Sequence, residues 1–437
     1  MNKLKYVWEK VNASFWFIPL LFIFAGIFAA ALGLYLDREI NLSLSEEYNF
    51  LFSFNADSAR SILSTISGAM IGVAGTVFSI TLVALTLASS SFGSRLLRNF
   101  MYDKLNQVVL GTYLATFLYC LLILNAVHDG EDFHFIPEIS VFVAILFAVF
   151  NIILLIVFIH HIAVSIQSDQ IISNITKLLN TQIEKHLNRE DELKMDAHFD
   201  LEKVKYNFCN GIPSEQPGYI QSINYKALRE LAAESDILIR LDLRAGHFVT
   251  EGGLLCKIWS KNQLNPDLVL DINKTCIVGN QRSAIQDIEF MVHQLVEIAC
   301  RALSPGINDP YTAIACIDNL TASLGKLSRM HFHSGHYFDE KQTLRLSSKE
   351  LHFEGILDTA FHQIRQNGKQ NPPILIRQME SLLTIVEMNE NPDYRLALEK
   401  HAEVLHNTAK RNFEEPVDLA DFKKIYNQFP KSKPSTK

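Results

Sequence analysis

Four long apolar runs occupy the first third of the chain: Phe15–Leu36, Ile62–Leu87, Val108–Val127 and Ile139–His160. None contains an acidic residue, a lysine or an arginine. A bilayer core about 30 Å thick takes about 20 apolar residues in helical form, so each run predicts one crossing. Beyond them the pattern changes. Ile162, Ile166, Ile172, Ile175, Leu179 and Ile183 recur at helical spacing against polar Gln167, Asp169, Gln170, Asn174, Lys177 and Asn180. With no Gly or Pro between Phe158 and Arg189, this predicts one helix running on from span four, with an apolar stripe that pairs with copies of itself or packs on its own domain.

Span two differs from the other three. Down one side it carries Ser61, Thr65, Gly68, Gly72, Thr76, Ser79, Val83, Thr86 and Ser90, with Ser64, Ser67 and Gly75 beside them. Leu and Ile serve better against acyl chains, whereas small residues let helices approach closely and hydroxyls bond across helices or face water. The stripe therefore predicts a face turned to protein or to a pore.

Loop charge orients the spans. Lys3, Lys5 and Lys10 precede span one against a single Glu9, and Arg95, Arg98 and Lys104 follow span two against Asp103. Asp37, Glu39, Glu46, Glu47 and Asp57 lie between spans one and two, offset by Arg38 and Arg60. Asp129, Glu131, Asp132 and Glu138 lie between spans three and four. Positive loops stay inside, so both termini are expected in the cytoplasm. Ala29-Ala30-Ala31 resembles a cleavage site, but the apolar run is too long for a typical signal segment, and an uncleaved first helix is expected. Tyr6, Trp8 and Trp16 suit an interfacial aromatic belt.

After His161 the chain reads as a cytoplasmic α+β region. Strands are expected at Gly218–Ile223, Ile237–Leu241 and Leu254–Trp259, with a helix at Tyr225–Glu234. The run from Gly246 to Leu255 resembles a turn of biotinyl and lipoyl-type barrel-sandwich domains, without a modifiable lysine at a hairpin tip; an ordinary small β unit reads equally well. Amphipathic helices follow at Gln281–Leu303, with Ile285, Ile288, Val292, Leu295, Val296 and Ala299 toward a core, and from Asn308-Asp309-Pro310 onward. A strand pair is expected around His336–Leu346, then helices at Leu351–Asn367, Pro373–Met388, Asp393–Asn412 and Asp418–Phe429. The expected fold is an α-helical membrane protein with four transmembrane helices plus a cytoplasmic α+β region. Its divisions are a four-helix transmembrane domain at 1–160, a helical extension at 161–204, a β-rich unit at 205–272, a helical domain at 273–430 and a disordered tail at 431–437.

Charge and cysteines narrow the picture. The formal charge of −7, without a concentrated basic block, argues against nucleic acid as a partner. Cys120, Cys209, Cys256, Cys276, Cys300 and Cys316 are scattered without a Cys-x-x-Cys pair, which argues against structural disulfides and a zinc ribbon.

Candidate chemistry concentrates at Ser304–Thr312. A Pro-Gly turn joins a helix end to a new helix start, bringing together Arg301, Ser304, Asn308, Asp309 and Thr312. Such a corner reads either as a ligand or partner site at a helix N-terminus or as a capping turn that docks two helices. His293, Glu297 and Arg301 lie along one helical face and read as a side-chain ladder, since a third and fourth metal ligand are not evident. His331, His333 and His336 lack a nearby Cys or carboxylate partner. His160 and His161 diverge by about 100° and read as interfacial residues. His128 and His134 sit in the acidic loop, which reads as solvated. No metal centre or cofactor is expected. No hydrolase elbow, phosphate loop, zincin or dinucleotide motif is present, and no charged residue lies in a span, so neither an enzyme nor a coupled pump is expected.

The run Arg301-Ala302-Leu303-Ser304-Pro305-Gly306-Ile307-Asn308-Asp309-Pro310-Tyr311-Thr312-Ala313 resembles the signature of a predicted membrane-protein family, domain of unknown function 2254. Arg282, Gln286-Asp287, Leu295–Ala299, Ser79–Leu85, Gly218–Gln221 and Gly246–Val249 share the resemblance. Where that family carries an Asp-Gly turn leading into Arg-Leu, this chain reads Glu340-Lys341-Gln342-Thr343-Leu344-Arg345-Leu346. The resemblance implies a bacterial inner-membrane protein and supplies no catalytic chemistry. Two functions fit. One is a homo-oligomeric channel or pore with a cytoplasmic vestibule or gate, passing an ion or small ligand. The other is a membrane-anchored sensor or scaffold whose cytoplasmic domain binds a ligand or protein.

Overall fold

The computed structural model describes residues 14, 16–39, 54–93, 103–129, 134–187, 206–332, 334–389 and 391–430. Most of the orienting loop charges, from Lys3 to Lys10 and at Glu46, Glu47, Arg95, Arg98, Glu131 and Asp132, lie outside these residues, as do His333 and the tail at 431–437. The chain divides into two units, residues 1–170 and 171–437.

The first unit contains four helices long and apolar enough to cross a membrane: α1 (Phe17–Glu39), α2 (Ala56–Phe92), α3 (Lys104–Ala126) and α4 (Glu138–Ser165). Asn55 starts α2 by accepting from the Ser58 amide at 2.7 Å, and Asp103 starts α3 by accepting from the Leu105 amide at 2.9 Å. With 37 residues, α2 runs about 55 Å, well beyond the hydrocarbon thickness.

Helix α3 lies at the centre and touches α1, α2 and α4. Glycines let α1 come close: a Cβ on Gly26 would lie 2.9 Å from the Ala115 carbonyl oxygen, and one on Gly111 would lie 3.0 Å from Pro19 Cα. Polar groups on α3 are tied to α4. The Tyr113 hydroxyl donates to the Asn151 carbonyl at 2.7 Å, the Tyr119 hydroxyl to the Ser140 carbonyl at 3.0 Å, and the Asn151 amide to Thr116 Oγ1 at 2.8 Å. Asp37, at the end of α1, caps α4 by accepting from the Ile139 amide at 2.8 Å and the Ser140 amide at 3.1 Å. A negative group at a helix N-terminus is stabilising, so Asp37 serves a packing role besides its loop charge. A short hairpin, β1 (His128–Asp129) with β2 (His134–Phe135), precedes α4.

The helix expected to run unbroken past His161 stops at Ser165. Ile166 and Gln167 form a turn before α5 (Ser168–Leu187). Neither Gly nor Pro marks this break, so the apolar spacing continues through it. In α5 the stripe of Ile172, Ile175, Leu179 and Ile183 is buried within its own chain. Asn180 accepts from the Ser323 hydroxyl at 3.0 Å, and Glu184 pairs with Lys326, both partners lying on α9 (Pro310–Leu327).

The rest of the second unit builds two sheets and a helical layer. Strands β3 (Phe208–Pro213), β7 (Leu254–Ser260), β5 (Leu238–Leu241), β10 (Leu344–Ser348) and β9 (His336–Phe338) form one sheet in that order. All its pairings are antiparallel except β5 with β10. Strand β4 (Gly218–Ile223) is the middle of a second sheet, flanked by β6 (Phe248–Val249) and β8 (Cys276–Gly279). Helices α6 (Tyr225–Glu234) and α7 (Pro266–Thr275) carry side chains into their shared core of Ile220, Ile223, Leu228, Ile239, Ile258, Ile272 and Leu346. The segment 205–272 is therefore not a self-contained barrel-sandwich, because its sheets are completed by strands from 276–279 and 336–348. The helical layer consists of α8 (Ile288–Ala302), α9, α10 (Phe353–Asn367), α11 (Pro372–Met388), α12 (Pro392–Asn412) and α13 (Pro416–Tyr426). Helix α8 begins at Ile288 rather than Gln281 because Asp287 caps it, accepting from the Phe290 amide at 3.0 Å. Ile285 consequently lies outside the helix and is exposed, whereas Ile288, Val292, Leu295, Val296 and Ala299 are buried.

Candidate functional site

Helix α2 buries Ala59, Leu63, Ser67, Met70, Ala74, Val77, Ala84 and Ala88. Its other face holds Ser61, Thr65, Gly68, Gly72, Thr76, Ser79, Val83, Thr86 and Ser90, and every one of them is exposed. A Cβ on Gly68, Gly72 or Gly75 would meet nothing within 4 Å. Several hydroxyls on this face bond back to their own helix: Thr65 to the Ser61 carbonyl at 2.7 Å, Thr76 to Gly72 at 3.2 Å, Ser79 to Gly75 at 2.9 Å and Thr86 to Leu82 at 2.9 Å. Those hydroxyls are satisfied even in lipid. The glycines are what distinguish the face. Gly68 and Gly72, four apart, offer bare backbone of the kind that lets transmembrane helices meet closely. Exposed positions on α1 and α4 are instead bulky and apolar, such as Phe24, Phe28, Ile152, Ile153 and Ile156.

The Ser304–Thr312 corner is tightly self-bonded. The Ser304 carbonyl accepts from the Ile307 and Asn308 amides at 3.0 and 2.9 Å, and the Ala302 carbonyl accepts from the Asp309 amide at 2.7 Å. Asn308 takes a positive φ of 50°, a conformation that Asn tolerates better than most residues. Asp309 caps α9, accepting from the Thr312 amide at 3.1 Å and the Thr312 hydroxyl at 2.6 Å. That hydroxyl bond holds its carboxyl below the usual range. Arg301 stands 3.9 Å from Glu297. Ile307 and Tyr311 are exposed beside the corner.

A second constellation gathers residues far apart in sequence. The Gly246 amide donates to the Ile220 carbonyl at 2.8 Å, and the Ile220 amide donates to the His247 carbonyl at 2.9 Å. Gln286 grips Ile223 of the same strand, accepting from its amide at 2.9 Å and donating to its carbonyl at 3.0 Å. Asp287 is 1% exposed and receives a two-pronged contact from Arg282 at 2.7 and 2.9 Å. Gly246, with φ of +92°, packs directly on that carboxylate: a Cβ there would lie 2.2 Å from Oδ2. Arg244 pairs with Glu289 at 2.7 Å. The Gly218–Gln221, Gly246–Val249, Arg282 and Gln286-Asp287 segments thus form one charged junction between β4 and the start of α8.

A family model described as Predicted membrane protein (DUF2254) matches residues 12–384. The chain belongs to the DUF2254 family. Uncharacterized proteins of Mycobacterium bovis and Mycobacterium tuberculosis are 30% identical to it over 427 residues, covering 96% of this chain and 81% of their own length. No solved structure matches it. DUF2254 membership covers all four apolar helices, the charged junction and the Ser304–Thr312 corner.

The remaining sequence candidates separate in space. His161 pairs with Asp103, the residue that caps α3, while His160 is exposed. The exposed His331 lies outside any helix or strand, and His336 lies on β9. None of the six cysteines is in a disulfide, and only Cys209 is exposed. Burial pushes the Cys256 thiol up to about 12 and the Cys276 and Cys300 thiols up to about 11, well away from reactive thiolates.

Proposed function

We propose that this DUF2254 chain assembles from several copies in a bacterial inner membrane into a channel. Its α2 helices share the wall, and the second unit serves as a cytoplasmic vestibule or gate. The observation that carries this reading is the glycine- and hydroxyl-bearing face of α2, left open along the longest of the described helices while its opposite face is buried. Among the described residues of the first unit, buried Tyr113, Tyr119, Cys120 and Ile123 fill the space around α3, so on this reading a conduit forms between copies. Several copies are therefore required. A path lined by glycines and back-bonded hydroxyls, without charges, suits weak selectivity or hydrophobic gating.

The test is thiol accessibility in a Cys209→Ser background. Cysteines at Gly72, Thr76 and Ser79 are expected to react with water-soluble thiol reagents and to alter ion flux in vesicles, whereas Ile153→Cys on α4 stays protected by lipid. Protection of all three α2 positions together with an absence of conductance would contradict the reading. The exposed Tyr311 and Ile307 favour a second reading, a membrane-anchored sensor or scaffold whose partner docks at the Ser304–Thr312 corner.

A further inference from the structure

Asp358 and His362 lie four residues apart on α10, and His401 reaches them from α12. Their donor atoms all fall within 4.8 Å of one another. His401 Nε2 is 2.7 Å from Asp358 Oδ1, and His362 Nε2 is 3.3 Å from the same oxygen. The two imidazoles stack at 4.9 Å between centroids, with planes 20° apart. The His401 side chain is only 5% exposed, whereas Asp358 and His362 retain 37% and 42%. The cluster is anchored on one side and open to solvent on the other.

We infer that Asp358, His362 and His401 bind a divalent transition-metal ion through two imidazole nitrogens and one carboxylate oxygen, with water completing the coordination. Metal–nitrogen bonds of about 2.0–2.1 Å place neighbouring donors of a tetrahedral ion about 3.3–3.4 Å apart. The His362–Asp358 separation of 3.3 Å meets that spacing, and the His401–Asp358 separation of 2.7 Å opens by roughly 0.6 Å to admit the ion. Two imidazoles among three donors favour zinc, copper, nickel or iron over calcium and magnesium, which take oxygen. Each imidazole binds the ion as its neutral tautomer, with the proton on Nδ1 and the Nε2 lone pair turned to the metal. Lys400 stands beside the site with its charge matched by Glu354 at 2.9 Å. An ion held here ties α10 to α12, so it favours the folded chain. His401 lies beyond residue 384, where the family match ends, so the complete donor set extends past the matched region.

The probe is Co2+ alone, added to the full-length chain in detergent after removal of any histidine tag. One Co2+ per chain is expected, with the intense visible bands of a four-coordinate ion, displacement by Zn2+ and a raised unfolding temperature. His362→Gln and Asp358→Asn, both at partly exposed positions, are expected to abolish the bands and weaken binding by more than about 100-fold, beyond the usual loss of an outer-shell partner. Absence of four-coordinate Co2+ in the wild type, or retention of the bands in both variants, overturns the site. If neither variant folds, the wild-type unfolding temperature decides: no rise at saturating Co2+ overturns it as well.

Discussion

Asp287 serves three contacts at once in the second unit. It caps α8, accepts two bonds from Arg282 and forms the floor on which Gly246 sits. Removing Arg282 leaves a carboxylate buried without its counter-charge. Arg282→Ala is therefore expected to lower stability by about 3–5 kcal/mol, measured by unfolding of the full chain in detergent. His247, next to Gly246, supplies a pH signature. Burial lowers its pKa from 6.5, helped by Arg244 and Lys349 and opposed by Glu289 and Asp287. The unfolded chain then takes up the proton first as pH falls. The His247 contribution is intact above about 6.5 and is lost as pH drops from there toward the lowered folded value. His247→Gln is expected to flatten that part of the stability profile. Single residues were the least legible scale in the sequence. The contiguous Ser304–Thr312 run draws the eye, yet its backbone groups and the Asp309–Thr312 pair are bonded within the corner. The charged junction is spread from Gly218 to Glu289, and the only local hint of the metal cluster is the four-residue step from Asp358 to His362.

At the scale of elements, helices were far more legible than sheets. Lipid demands continuous apolar runs, and the four crossings announce themselves through them. Strand order carries no such local mark: β5 pairs in parallel with β10, about a hundred residues later, and β3, α7 and β8 gave no clear pattern of their own. The break after Ser165 was hidden because apolar spacing continues across it. Two glycines, one on α1 and one on α2, separate packing within a copy from the packing between copies that the channel account proposes. Gly26→Leu is expected to destabilise the bundle, since its Cβ would lie 2.9 Å from the Ala115 carbonyl oxygen. Gly72→Leu meets nothing within 4 Å and improves helix propensity by roughly 1 kcal/mol, so the single chain tolerates it while assembly is lost. Unfolding temperature and particle size of the two variants check the contrast.

For the whole molecule, hydrophobic patterning separates an apolar first part from a polar remainder, and the structure divides the chain at Gln170. The small residues of the α2 stripe lead the sequence reading to expect a face turned to something other than lipid. Only the structure places that face outside the packing of the other described helices of the first unit, because which neighbours a helix takes is decided by all four together. The channel account rests on this open face being closed by further copies. The mass of the lipid-solubilised particle, with detergent subtracted, tests that most directly. The account predicts an integral multiple of 49.6 kDa greater than one, collapsing to one copy in Gly72→Leu. A wild-type particle holding a single chain would contradict it.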